Sequence, residues 1–148
     1  MPSKPLLTTP IRYRNVPYAF EITFPRWWEP YTVVDRLRSR HEAETTVSFR
    51  FRYRGRIYDP IMTVVIEPIS EKEWRAAHKE SPLVWLGERD GRSYAYVLAE
   101  ELPEAFLRPD KLDYDYRRFG RQIRLLKAMV AQAPLVMQSF RFLAPGHS

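Results

Sequence analysis

The chain has no cysteine. That excludes structural disulfides, thiolate nucleophiles and cysteine-ligated zinc or iron–sulfur centres. Glycine is scarce, with five in 148 residues, and no glycines are spaced to cradle a phosphate in a loop. Histidine is scarcer still: His41, His78 and His147 are the full set, and no two stand at the i, i+4 spacing that places two metal ligands on one helical face. No Gly-x-Ser-x-Gly elbow occurs. No apolar run approaches the roughly 18–20 residues of a membrane-spanning helix. Lysine is sparse too, supplying only five of the 24 basic residues. These absences leave catalysis without a motif to rest on.

What is present is ordinary for one soluble domain. Hydrophobic residues make up 45% and charged residues 28%. A chain of this length buries about 68–70% of its unfolded surface and needs no staple. Net charge is +6 and unevenly placed. Residues 1–66 carry +5, residues 67–116 carry −5, and residues 117–148 carry +6 with no acid at all. Such a layout steers charged partners without dictating a fold. The stretch Met1–Pro10 lacks the apolar core of a secretory signal, so the chain as written is expected in the cytoplasm. A trimmed signal or lipobox segment would make it extracytoplasmic.

Thirteen prolines punctuate the periodic segments. Residues 1–15 carry three of them and read as a loose N-terminal arm, free to dock in part. Val16–Phe24 alternates, with Tyr18, Phe20, Ile22 and Phe24 on one face, and reads as a half-buried strand ended by Pro25. Trp27-Trp28-Glu29-Pro30 makes a bulky corner before a strand over Tyr31–Leu37. Ser39–Glu44 is a polar turn. Thr45–Tyr53 alternates strictly: Val47, Phe49, Phe51 and Tyr53 against Ser48, Arg50, Arg52 and Arg54. Gly55 turns the chain into Ile57–Glu67, a β-branched run apolar on both faces and so a central strand, with Pro60 bending its start.

Ser70-Glu71-Lys72-Glu73 is a capping box that opens a short helix to about His78. Leu83–Gly87 and Ser93–Ala99 form a hairpin around Asp90-Gly91. Glu100–Lys111 reads as a loop or a short turn of helix. Asp113 caps the last long helix, whose apolar stripe is Tyr116, Phe119, Ile123, Leu126 and Val130. Pro134 ends or kinks it. Val136–Leu143 either adds a final strand or extends the helix. Residues 16–143 are thus one α+β domain, an antiparallel β-sheet flanked by helices, with 144–148 a tail.

Three groups of residues invite a functional reading. The first is an arginine row, Arg50, Arg52, Arg54 and Arg56, with Arg36, Arg38 and Arg40 on the neighbouring strand. Period two spaces such a row about 6–7 Å per step, a spacing suited to successive phosphates. The alternative is a solvated outer face whose arginine stems cover apolar surface. The second is the aromatic set Trp27, Trp28, Tyr31, Trp74, Trp85, Tyr94 and Tyr96, types favoured in binding hot spots and equally in cores. Adjacent tryptophans cannot both point inward in an extended chain, so one is expected at the surface. The third is the acidic run Asp110, Asp113 and Asp115. It lacks the glycine and terminal glutamate of a calcium loop, and capping accounts for it.

Tyr18-Ala19-Phe20-Glu21-Ile22-Thr23-Phe24-Pro25-Arg26-Trp27-Trp28 resembles the opening strand of the Mog1/PsbP-like α/β/α sandwich superfamily, and Val136-Met137-Gln138-Ser139-Phe140-Arg141-Phe142 resembles its closing Ser-Phe segment. Among its members the chain looks most like small bacterial domains, often held at the cell surface through a lipobox cysteine that is missing here. The resemblance implies a largely non-enzymatic protein of that sandwich fold, with no cofactor. The expectation is therefore a non-catalytic binding module for a protein partner at Trp27, Trp28 and Tyr31. The alternative is nucleic-acid or polyanion binding through Arg36, Arg38, Arg50, Arg52 and Arg54, together with the basic last helix.

Overall fold

The computed structural model describes residues 9–38 and 44–144. The turn expected over Ser39–Glu44 lies, but for Glu44, outside the described residues, as do Arg40, residues 1–8 and residues 145–148. Five strands form the main sheet: β3 (Thr32–Arg38), β4 (Thr45–Tyr53), β5 (Arg56–Glu67), β6 (Val84–Arg89) and β7 (Arg92–Leu98). Their order is β3-β4-β5-β7-β6, antiparallel throughout. Alternation in β4 is complete, from buried Thr45 to buried Tyr53 with partly exposed residues between. β5 is interior and buries side chains on both faces, Ile61, Met62, Val64, Val65 and Ile66.

Both tight hairpins use a left-handed pair. Arg54 and Gly55 have φ of 48° and 80°, and Asp90 and Gly91 have 53° and 76°. Two successive positive φ values are the signature of the turn whose twist matches the flanking strands. Asp and Gly suit those positions. Arg54 does not, because a Cβ in the left-handed region costs about 1–2 kcal/mol.

A second sheet covers one face of the first. It comprises β1 (Ile11–Asn15), β2 (Phe20–Phe24) and β8 (Arg141–Phe142), in the order β1-β2-β8. Phe20, Ile22 and Phe24 are buried. Tyr13 meets Phe49 edge-on at 5.2 Å between ring centres, and Phe20 meets Tyr94 at 6.2 Å. Each fully buried aromatic of this kind contributes roughly 1.5–3 kcal/mol. Phe142 lies so close to Gly87 of β6 that a Cβ there would sit 2.8 Å from the ring.

Two helices complete the fold. α1 (Glu71–Ala77) has the full capping box, with Ser70 Oγ accepting from the Glu73 N–H and Glu73 accepting from the Ser70 N–H. Its Trp74 packs on Trp85 at 5.0 Å, on the sheet face opposite the core aromatics. α2 (Tyr116–Gln138) lies beside the small sheet, and Ile123, Leu126, Met129, Ala133, Val136 and Met137 enter the same core. None of the described helices is long and apolar enough to cross a membrane. The molecule is an α+β fold of two antiparallel sheets with helices, as the element pattern implies.

Several elements depart from the sequence expectation. Ile11–Asn15 is not part of a loose arm but a paired strand, because Ile11 and Tyr13 alternate toward the core while Arg12 and Arg14 face out. Residues 16–19 turn instead of extending, and Ala19 has φ of 55°. The cap of α2 is Asp115, whose carboxylate accepts from the Arg118 N–H at 3.0 Å; Asp113 instead accepts from its neighbour Tyr114. α2 continues through Pro134 to Gln138, since Val136 and Met137 beyond it are buried. Val136–Leu143 then supplies both the helix end and β8. Tyr116 is not in the apolar stripe: it is about half exposed, with Lys127 over its ring at 5.4 Å.

Candidate functional site

The arginine row is not one surface. In the pairing of β3 with β4, Arg36 stands opposite Val47 and Arg38 opposite Thr45, the core-side positions of β4, while Arg50 stands opposite Val33. Arg36 is therefore on the other sheet face from Arg50. Around Arg50 the β4–β5 register shifts twice, at Pro60, which has no N–H to give. There Arg50 Nε donates to the Tyr58 carbonyl at 2.8 Å, and a terminal nitrogen reaches Asp35 at 3.5 Å. Arg52 Nε donates to the Pro30 carbonyl at 3.4 Å. These two arginines close local structure. Arg54 alone stands free of the sheet, at the hairpin tip, its guanidinium 5.3 Å from the Tyr53 ring centre.

The aromatic corner also divides. Residues 26–31 form a 3-10 turn, which points the adjacent tryptophans in different directions. Trp28 is fully buried, stacks on Phe24 at 5.9 Å, and donates Nε1–H to Gln132 Oε1 at 2.9 Å. It is a core residue and is withdrawn from any partner surface. Trp27 and Tyr31 remain partly exposed, edge to face at 6.4 Å.

Arg54 and Tyr31 come together with the start of α2. Two joined clefts, about 360 and 370 Å³, share Tyr53, Arg121 and Arg124. One is walled by Tyr31, Leu125 and Ala128; the other by Arg54, Tyr116, Arg117, Arg118 and Gln122. The helix makes this possible through its spacing: Arg121 and Arg124 stand three apart on one face, and Arg117 joins them from the turn before Phe119. The opposite face carries Ile123 and Leu126 into the core. The backbone at Phe119 leaves helical values (φ −117°, ψ 18°), so the turn bearing Arg117 and Arg118 is set at an angle to the helix body.

Five guanidiniums thus line one depression. Among the described residues no carboxylate lies within 4 Å of any of them. The first turn of α2 holds Arg117 and Arg118 and no acid, against the usual preference at the positive end of a helix dipole. Sequence reasoning named Tyr31, Arg54 and the basic last helix separately and did not bring them to one cleft. The usable signal was present in the acid-free charge of residues 117–148.

A second basic depression, about 430 Å³, lies on the outer face of the small sheet, lined by Arg12, Arg14, Arg141 and Glu21. Its charge is partly answered from within. Glu21 is nearly buried and accepts from Arg141 Nε at 2.7 Å. That hydrogen bond, opposed by burial and reinforced by the charges of Arg141, Arg12 and Arg14, holds the carboxyl below its usual range. The acidic run forms no site: Asp110, Asp113 and Asp115 each accept a backbone N–H at the loop or helix start.

The chain was compared with protein-family models, curated proteins and solved structures, and none of the three comparisons gave a match.

Proposed function

We propose that this domain is a non-catalytic module that binds a phosphate-bearing polyanion in the cleft between the β4–β5 hairpin tip and the first half of α2. The observation that carries this reading is the convergence of Arg54, Arg117, Arg118, Arg121 and Arg124 with no carboxylate ion-paired to their guanidiniums among the described residues; the Asp115 carboxylate at the helix start takes the Arg118 backbone N–H instead. Uncompensated like charge destabilises a fold, and an anionic ligand relieves it. Arg54 adds to this, because it occupies a left-handed turn position better suited to Asn or Gly. The lining groups are guanidiniums, phenols and an amide.

The resemblance to the Mog1/PsbP-like sandwich belongs to the same proposal. It is supported by the antiparallel sheet, the long C-terminal helix and the closing Ser139-Phe140 segment, whose Ser139 Oγ accepts from the Thr23 N–H at 2.8 Å.

The test is binding of inorganic polyphosphate, measured by competition against a fluorescent anionic probe, with native protein and Arg121→Ala/Arg124→Ala. The expected result is saturable binding that the double substitution weakens at least tenfold, since each charge-assisted contact is worth about 1.5–3 kcal/mol. Loss of binding in Arg50→Ala/Arg52→Ala alone would return the site to the sheet row. Preference for polyglutamate over polyphosphate would favour a protein partner docking against Trp27 and Tyr31.

A further inference from the structure

The rings of Phe51, Tyr53 and Tyr31 form a near-parallel series. Phe51 and Tyr53 are 6.4 Å apart at 19°, and Tyr53 and Tyr31 are 6.3 Å apart at 17°. The series runs outward, from fully buried Phe51 through nearly buried Tyr53 to partly exposed Tyr31. It reaches the surface inside the arginine-lined cleft, where Tyr31 and Tyr53 share the wall with Arg121 and Arg124. Trp27 meets Tyr31 edge to face, at 6.4 Å and 62° between planes, and so does not stack on it. A planar ring ordered by its neighbours loses little freedom when another ring stacks on it.

We propose that Tyr31 is a base-stacking platform and that the occupant of the cleft is a single-stranded nucleic acid. This rests on the polyanion reading above and adds the choice among polyanions. A phosphate chain alone uses the guanidiniums and leaves the ring idle. A duplex keeps its π-faces covered by adjacent base pairs. An unpaired strand presents both phosphates and bare faces, the combination that sequence-tolerant single-strand sites use. The helical wall from Arg117 to Ala128 is about 17 Å long at 1.5 Å per residue, room for a few nucleotides.

The experiment is fluorescence anisotropy on the full chain at one fixed salt concentration. The probes are an oligodeoxythymidylate of about twelve nucleotides, within the span of known single-strand sites, an abasic strand of equal length, and the matching duplex. Native protein is expected to bind the thymidylate roughly 5- to 150-fold more tightly than the abasic strand, the range for one stacked base. Tyr31→Leu is expected to bring thymidylate affinity down to the abasic level, and Tyr31→Phe to keep it. Equal affinity of native protein for thymidylate and abasic strands would overturn the platform and leave the polyanion cleft standing. Tighter binding of the duplex would overturn it likewise. No binding of any of the three would overturn both readings. The comparison of probes on native protein needs no variant, so it decides the matter even if Tyr31→Leu folds poorly.

Discussion

Replacing Arg50 by Ala is expected to cost stability and to leave polyanion affinity unchanged. The side chain does two things. Its Nε gives a charge-assisted hydrogen bond of 2.8 Å to the Tyr58 carbonyl, where the β4–β5 register shifts. Its terminal nitrogen pairs with Asp35 across to β3 at 3.5 Å, with both side chains about one-third exposed. The bond to a charged donor is worth about 1.5–3 kcal/mol when shielded, and partial exposure places it at the low end. The ion pair adds about 0–1 kcal/mol. The sum is about 1.5–2.5 kcal/mol. At roughly 2–4 °C per kcal/mol for a domain of this size, Arg50→Ala should melt about 3–10 °C lower. Asp35→Asn removes only the ion pair and should cost about 0.5 kcal/mol. Arg50→Lys keeps a charge near Asp35 but loses the planar fork, and should fall between. Thermal melts of the three variants, with polyphosphate binding measured beside them, check the reasoning. An unchanged melt with lost binding in Arg50→Ala would refute it and restore the sheet row as the site.

Acid should unfold the protein partly through Glu21. Its carboxyl is held low in the folded state by the Arg141 hydrogen bond, so the stability it contributes is present above the usual carboxylate range. That stability is lost as pH falls through the depressed folded value. Arg141→Leu should shift the acid-unfolding midpoint to higher pH, and a midpoint that stays put in a pH-stepped denaturation series would count against the pair. Arg54→Asn should not lower the melting temperature. Relief of about 1 kcal/mol of left-handed backbone cost offsets about 0.5–1 kcal/mol from the exposed contact with Tyr53. The same substitution should weaken polyphosphate binding, and a large drop in melting temperature with unchanged binding would reverse the assignment of Arg54.

The main sheet was readable because its signals are local. Strict alternation marks β4, two residue–glycine pairs mark the hairpins, and Ser70 with Glu73 marks the start of α1. The small sheet was harder to read. β1 is five residues enclosed by Pro10 and Pro17, too short for its alternation to stand out, and β8 is two residues with no period at all. Both are stabilised by rings from distant segments, Tyr13 on Phe49 and Phe142 on Tyr94. The cap at Asp115 competes with Asp113 two residues earlier, and loop contacts such as the Asp115 N–H to the Phe106 carbonyl at 2.7 Å belong to the fold, not to the local sequence.

The site was legible in parts and not in assembly. Tyr31, Arg54 and the basic last helix each stood out, but Tyr31 and Arg124 are 93 residues apart, and only the fold brings them to one cleft. Alternation suggested that Arg50, Arg52 and Arg54 act together. The bulged register and the turn at Arg54–Gly55 give each a different surrounding. Trp27 and Trp28 do divide, Trp28 buried and Trp27 partly exposed, through a 3-10 turn instead of an extended chain.

Whether the α2 cleft is the anion site is tested most directly by the salt dependence of single-strand binding. Each neutralised phosphate contributes a slope of about −0.7 in log K against log salt, so five arginines give about −3.5. A fourfold rise in salt should then weaken native binding by about two orders of magnitude. With Arg117→Ala, Arg121→Ala and Arg124→Ala combined, the slope should fall to about −1.4 and the same step should cost only about sevenfold. A native slope weaker than about −1, or one that the triple substitution leaves unchanged, would contradict the cleft as the binding site.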